Sequence, residues 1–237
     1  MNKVLVVQFS IDASKEHAQK CFTSICSDAN FSFFNAIEDD LSTLTIDDFS
    51  GIILGGSGQF YLSKGDGENT WLPKVFNFLD RVVEKNIPTM GICFGSQILA
   101  LHQGGKVVCD PAMQETGTFE VELFKHAEDD PIFSQLPQKF TVHLGHKDTP
   151  SDLPPHIIPL AKSSKVPWSA FRVAGKRIWG FMFHPELNKE TMRERMSMFP
   201  SYVQDGEDFD SYLSRVVKDT PETPKILSIF ARLEAKG

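Results

Sequence analysis

Short, wholly apolar runs alternate with helically spaced ones through the first hundred residues. Residues 4–9 are β-rich and apolar, the composition of a strand buried on both faces. Residues 14–27 carry Ala18, Cys21, Phe22, Ile25 and Cys26 at helical spacing and predict a helix. A polar stretch over 38–50 leads into a second strand at 51–54. Trp71, Leu72, Val75, Phe76, Leu79, Val82 and Val83 form a helical stripe, with Asn69 or Thr70 as its N-cap and Pro73 in its first turn. Residues 88–92 then predict a strand and 96–102 a helix that Gly104-Gly105 stops. This succession implies an α/β fold, a central mostly parallel sheet flanked by helices, with reactive groups at the carboxyl ends of the strands.

The second half is richer in strand-like runs. Residues 106–109, 118–124 and 141–144 read as strands, and 168–173 with 177–183 as a hairpin across Ala174-Gly175-Lys176. From Asn188 onward the pattern is mostly helical, closing on a stripe of Ile226, Ile229, Phe230 and Leu233 after Pro221 and Pro224. Those stripes are expected to face the core. With no repeat, linker or low-complexity segment, the expectation is one domain over 1–237 with a helical extension over 188–237. Hydrophobic residues make up 41% of the chain, enough for a sizeable core. A formal charge of −7 without basic runs argues against nucleic acid as the partner. No apolar run approaches the roughly 18 residues needed to span a membrane, and 4–9 is too short for a signal-peptide core. The seven histidines are scattered without metal-ligand spacing, so neither metal nor cofactor is expected. Four cysteines without an evident pairing fit a reducing, cytoplasmic location.

Chemistry concentrates at Gly91-Ile92-Cys93-Phe94-Gly95-Ser96-Gln97, which joins a predicted strand to a predicted helix. One cysteine between two glycines in G-x-C-x-G spacing is the thiol counterpart of the G-x-S-x-G nucleophile elbow. Such a turn needs residues without Cβ beside the reactive atom. The backbone N–H of Phe94, at the start of the helix, would face a developing oxyanion. A buried structural cysteine is the plainer alternative. Downstream, Phe181-Met182-Phe183-His184-Pro185-Glu186 ends a second strand-like run. A thiol with an ordinary pKa of about 8.5 needs an imidazole to hold it as thiolate, and the imidazole needs an acceptor to fix its tautomer. In extended backbone His184 and Glu186 project to one side, and Pro185 stiffens the segment between them. Cys93, His184 and Glu186 are therefore a candidate triad.

These two motifs together resemble the class I glutamine amidotransferases, the Cys-His-Glu type. The likeness extends to Ile53-Leu54-Gly55-Gly56-Ser57-Gly58, similar to the family's glycine-rich oxyanion loop, and to the segment from Trp71 to Pro88. Glu115-Thr116-Gly117 and Leu144-Gly145-His146-Lys147-Asp148 resemble two further family segments, so that residues 50–190 are covered. The resemblance implies a flavodoxin-like fold with additional β-hairpins. It implies attack of Cys93 on a γ-carboxamide, with the oxyanion held by N–H groups of Phe94 and the Gly56 loop. His184 would protonate the leaving ammonia and then activate water, and Glu186 would hold His184. By the same resemblance Gln97 binds the substrate, while the loop around Gly58 and the backbone near Gly145 and Asp148 grip its amino and carboxylate ends. His146 either braces that loop or is an ordinary surface histidine. Two positions depart from the common pattern: Ser96 stands where histidine or methionine is frequent, and Met182 where glutamine is. Neither belongs to the triad, so loop packing or substrate fit is where a difference is expected.

No stretch resembles an ATP-binding synthetase or a P-loop, so the sequence does not show the ammonia acceptor, and a separate synthetase or acceptor subunit is one expected partner. Three readings follow: hydrolysis of glutamine, hydrolysis of γ-glutamyl peptides with the same triad, and a non-catalytic regulatory protein on this fold. The first two differ in the room needed beyond the scissile bond, and the loop from Gly58 to Asn69, with Tyr61, Lys64 and Asp66, is a candidate for shaping it.

Overall fold

The computed structural model describes residues 2–27, 29–199 and 208–233. Nine of its strands form one mixed sheet. Its parallel half is built from β1 (Lys3–Gln8), β2 (Asn30–Asn35), β3 (Gly51–Leu54), β4 (Thr89–Ile92) and β11 (Ile178–Phe181), in the order β2-β1-β3-β4-β11. The sheet then continues antiparallel through β10 (Ala170–Val173), β9 (Ile157–Lys162), β6 (Glu115–Leu123) and β7 (Lys139–His146). A separate antiparallel pair joins β5 (Lys106–Cys109) to β8 (Asp148–Ser151). Within the parallel half β1, β3 and β4 match the expectation from patterning, as does the β10–β11 hairpin.

The parallel strands are apolar at successive positions because both of their faces are covered. Val4 and Val6 of β1 point to one core with Ile53, Met90, Ile92, Trp179 and Phe181, while Leu5, Val7, Ile52, Leu54 and Ile178 point to the other. The first core is closed by α1 (Ala13–Ile25) through Phe22 and by α6 (Lys225–Ala231) through Ile226, Leu227 and Phe230. The second is closed by α2 (Leu72–Glu84) and α3 (Phe94–His102). Two further helices, α4 (Lys189–Met198) and α5 (Phe209–Val216), pack over α1 through Cys21, Met192, Met196, Tyr212 and Leu213. The rest of the expected C-terminal helical extension, residues 200–207 and 234–237, lies outside the described residues.

Two local expectations are corrected. The N-cap position of α2 is Trp71, and no side chain caps the helix. Its first turn is instead entered from a glycine turn, in which Leu72 N–H donates to Gly67 O at 3.0 Å. The buried face of α2 runs through Leu72, Val75, Phe78, Leu79 and Val82, so Phe78 takes the core position and Phe76 and Val83 lie at its margin. Strands β2, β8 and β9 do not show in the patterning.

Candidate active site

Three adjacent parallel strands end at one place. β3 runs into Gly55-Gly56-Ser57-Gly58, β4 into Cys93, and β11 into Met182-Phe183-His184. Register sets Leu54 beside Gly91, and Ile92 beside Phe181, so the three loops leave the sheet edge at the same level.

Cys93 sits at the turn between β4 and α3 with φ 47° and ψ −101°, a left-handed φ that few non-glycine residues adopt. Its N–H donates to Phe181 O at 2.7 Å, and its carbonyl accepts from Ser96 N and Gln97 N at 3.0 and 3.1 Å, which locks the strained residue from both sides. The flanking glycines are required by contact. A Cβ on Gly95 would lie 2.1 Å from Leu54 O, and one on Gly91 would lie 2.6 Å from Gly95 O. Phe94 opens α3, and the first N–H groups of a helix have no partner within it. The Gly95 N–H is already taken by Gly55 O at 3.1 Å.

His184 and Glu186 are both buried, and His184 Nδ1 lies 2.7 Å from Glu186 Oε1. Burial alone would lower the His184 imidazole, but the Glu186 carboxylate, with the nearby Cys93 thiol, raises it to about 9. Burial would push the Glu186 carboxyl up, yet the facing imidazole outweighs it, with help from Arg195, and holds the carboxyl below its usual value. Gly56 lies against this pair: a Cβ there would be 2.9 Å from His184 Cε1 and 3.8 Å from Cys93 Cβ. The sequence-predicted Cys93, His184, Glu186 and Gly56 thus meet at one point.

The remaining predicted residues line an adjoining cleft. Gly58, Cys93, Phe94, Gln97, Gly145, His146 and Asp148 share its wall with Tyr61, and its empty space, mouth included, is about 260 Å³. Gln97 Nε2 donates to Asp148 O at 3.0 Å, which joins α3 to the 145–148 segment. Both Asp148 carboxylate oxygens are engaged by Ser63, from its N–H at 2.9 Å and its hydroxyl at 2.6 Å. His146 is buried, 3.2 Å from Glu115 Oε2 and 3.4 Å from Thr149 Oγ1, so it braces its loop and is no surface histidine. Cys93 Sγ approaches Gly145 O at 3.9 Å.

Several neighbours carry no signal in the sequence. His143 is buried behind the site, where burial and the adjacent His184 lower it to about 4, and its carbonyl accepts from His184 N at 3.0 Å. Its place in the alternation of β7 is the one clue the sequence holds. The two departures from the family pattern touch each other: Ser96 Oγ donates to Cys93 O at 2.7 Å and lies 3.2 Å from Met182 Sδ. All four cysteines are free thiols, with Cys21, Cys26 and Cys93 buried and Cys109 exposed. Among the described residues no helix is long and apolar enough to cross a membrane.

A strained thiol at a strand-to-helix elbow, beside a carboxylate-paired imidazole, is the equipment of cysteine-dependent acyl transfer on an α/β sheet. The model of the family described as glutamine amidotransferase class-I matches residues 26–199, and the chain belongs to that family. It is 33% identical over 155 residues to a glutamine-hydrolysing GMP synthase of Porphyromonas gingivalis, covering 65% of this chain and 27% of that protein. It is 34% identical over 138 residues to a glutamine-hydrolysing GMP synthase subunit of Pyrococcus abyssi, covering 58% of this chain and 66% of that one. The chain thus spans only about a quarter of the length of the Porphyromonas relative. Its fold is that of a glutamine amidotransferase from Thermotoga maritima, with a TM-score of 0.75 at 21% identity over 98% of this chain and 96% of that one.

Proposed function

We propose that this chain hydrolyses the γ-carboxamide of glutamine through a γ-glutamyl thioester on Cys93 and delivers the ammonia to a separate synthetase or acceptor subunit. The observation that carries the reading is the buried 2.7 Å contact of His184 Nδ1 with Glu186 Oε1, directly beside the elbow thiol. With His184 raised to about 9, its imidazole carries at neutral pH the proton that the leaving nitrogen must receive. Cys93 Sγ bonds to the γ-carbon, and the oxyanion is met by the N–H groups of Phe94 and the Gly56 loop. The C–N bond breaks as His184 gives its proton to the leaving nitrogen, which departs as ammonia. The neutral imidazole then takes a proton from water, which attacks the thioester and releases glutamate and the thiol. Gly58, Gln97, Gly145, His146 and Asp148 shape the cleft for the glutamyl amino and carboxylate ends. The Pyrococcus relative, named as one subunit of its synthase, supports a separate acceptor.

The test is release of glutamate from glutamine, with trapping of a γ-glutamyl adduct by intact mass. Wild type is expected to form the adduct and glutamate. Cys93→Ala is expected to fold normally, because a small residue fits the turn, and to give neither. Undiminished turnover in folded Cys93→Ala, or no adduct and no turnover in wild type, would overturn the reading.

A further inference from the structure

A second cavity opens on the other side of the scissile position. Its empty space, mouth included, is about 400 Å³, and it shares Ser57, Gly58 and Gly145 with the glutamyl cleft. The two differ in what reaches them: Cys93 lines the cleft, whereas His184 lines the second cavity. The thiol receives the acyl carbon and the imidazole protonates the leaving nitrogen, so the leaving group departs into the His184 side. Ammonia needs almost none of that room. The wall is mostly apolar, formed by Leu187, Met192, Met196 and Phe199, with Arg195 and the His184 imidazole as its cationic groups. Arg195 Nε donates to His17 Nδ1 at 3.1 Å, which pins the guanidinium. Its Nη2 is buried and has no hydrogen-bond partner among the described residues. An unmet guanidinium nitrogen in an apolar chamber selects an anionic oxygen, and a carboxylate fits its planar fork.

Resting on the thioester reading above, we propose that this chamber seats an amino-acid leaving group with an apolar side chain, its α-carboxylate bound by Arg195. The chain then also cleaves γ-glutamyl amino acids. Cys93 Sγ bonds to the γ-carbon, and the C–N bond to the amino acid breaks as its nitrogen takes the His184 proton. Water then cleaves the C–S bond, so that γ-glutamyl amino acid plus water gives glutamate plus amino acid. The apolar side chain lies against Met192 and Met196, and the carboxylate replaces the missing partner of Nη2.

The experiment compares kcat/KM for glutamine, γ-glutamylleucine and γ-glutamylleucinamide, the last lacking the carboxylate, in wild type, Arg195→Lys and Arg195→Met. Wild type is expected to prefer the leucine over the leucinamide substrate by about tenfold or more, the worth of one charge-assisted hydrogen bond. Arg195→Met is expected to abolish that preference and Arg195→Lys to keep part of it. The ratio cancels any loss common to both substrates, so a merely structural role of Arg195 would leave it unchanged. Turnover of glutamine without cleavage of γ-glutamylleucine would overturn the inference and leave the glutamine reading intact. Equal rates on the two leucine substrates in wild type, or an unaltered preference in Arg195→Met, would also overturn it. Inertness toward all three would end both readings.

Discussion

Gly56 has no space for a side chain, because a Cβ would sit 2.9 Å from His184 Cε1. We expect Gly56→Ala to displace the imidazole from Glu186 and to lower kcat on the order of tenfold to a hundredfold with little change in melting temperature. Glutaminase kinetics beside a thermal scan check this. The raised His184 imidazole sets a second expectation. Activity that needs the protonated imidazole should fall as pH rises through about 9. Glu186→Gln removes the chief raising partner, so the alkaline limb should move to lower pH, with less loss of rate at neutral pH than in Cys93→Ala. A pH–rate profile of the two proteins reads both effects. At this scale Cys93, His184 and Glu186 are legible in the sequence because two short segments each carry their own spacing rule. His143, Ser63 and Arg195 are not, since each owes its place to partners far away in the chain: His184, Asp148 and His17.

Among the elements, the 58–69 loop is tied to β8 through the two Ser63–Asp148 contacts. Ser63→Ala removes one of them, and we expect the KM for glutamine to rise by about threefold to tenfold while kcat changes less, as for a lost hydrogen bond to a charged group. Steady-state kinetics separate the two constants. α4 begins with a reciprocal cap in which Asn188 Oδ1 accepts from Thr191 N and Thr191 Oγ1 accepts from Asn188 N, both at 2.9 Å. Asn188→Ala should cost about 1 kcal/mol, measured by denaturant unfolding. The parallel strands are readable because burial on both faces leaves a continuous apolar run. β2 is hidden by polar Asn30, Ser32 and Asn35 at a sheet edge, and β8 by Pro150 in a two-stranded pair. β9 contains Pro159, which is tolerated where β6 no longer pairs with it, since that ladder reaches only Ala161 and Lys162.

Across the whole molecule, one sheet carries both the site-bearing parallel half and the antiparallel half that flanks it. The core on one face includes Val6 of β1 and Val142 of β7, so it runs unbroken beneath both halves. We propose on that ground that the chain unfolds as one domain, with near- and far-ultraviolet dichroism losing signal at the same midpoint. Separate midpoints would divide it. The order of the strands also has a consequence in time. β6–β7 and β10–β11 join neighbours in sequence, whereas β11 pairs with β4 only after every strand from β5 to β10 has been synthesised. Pairings between distant segments carry the larger loop-closure cost and tend to form late. The thiol and the imidazole, delivered by β4 and β11, are therefore expected to meet late in folding. A refolding chain should regain its dichroism before its reactivity, and a nascent chain should stay chemically silent until its last parallel strand docks.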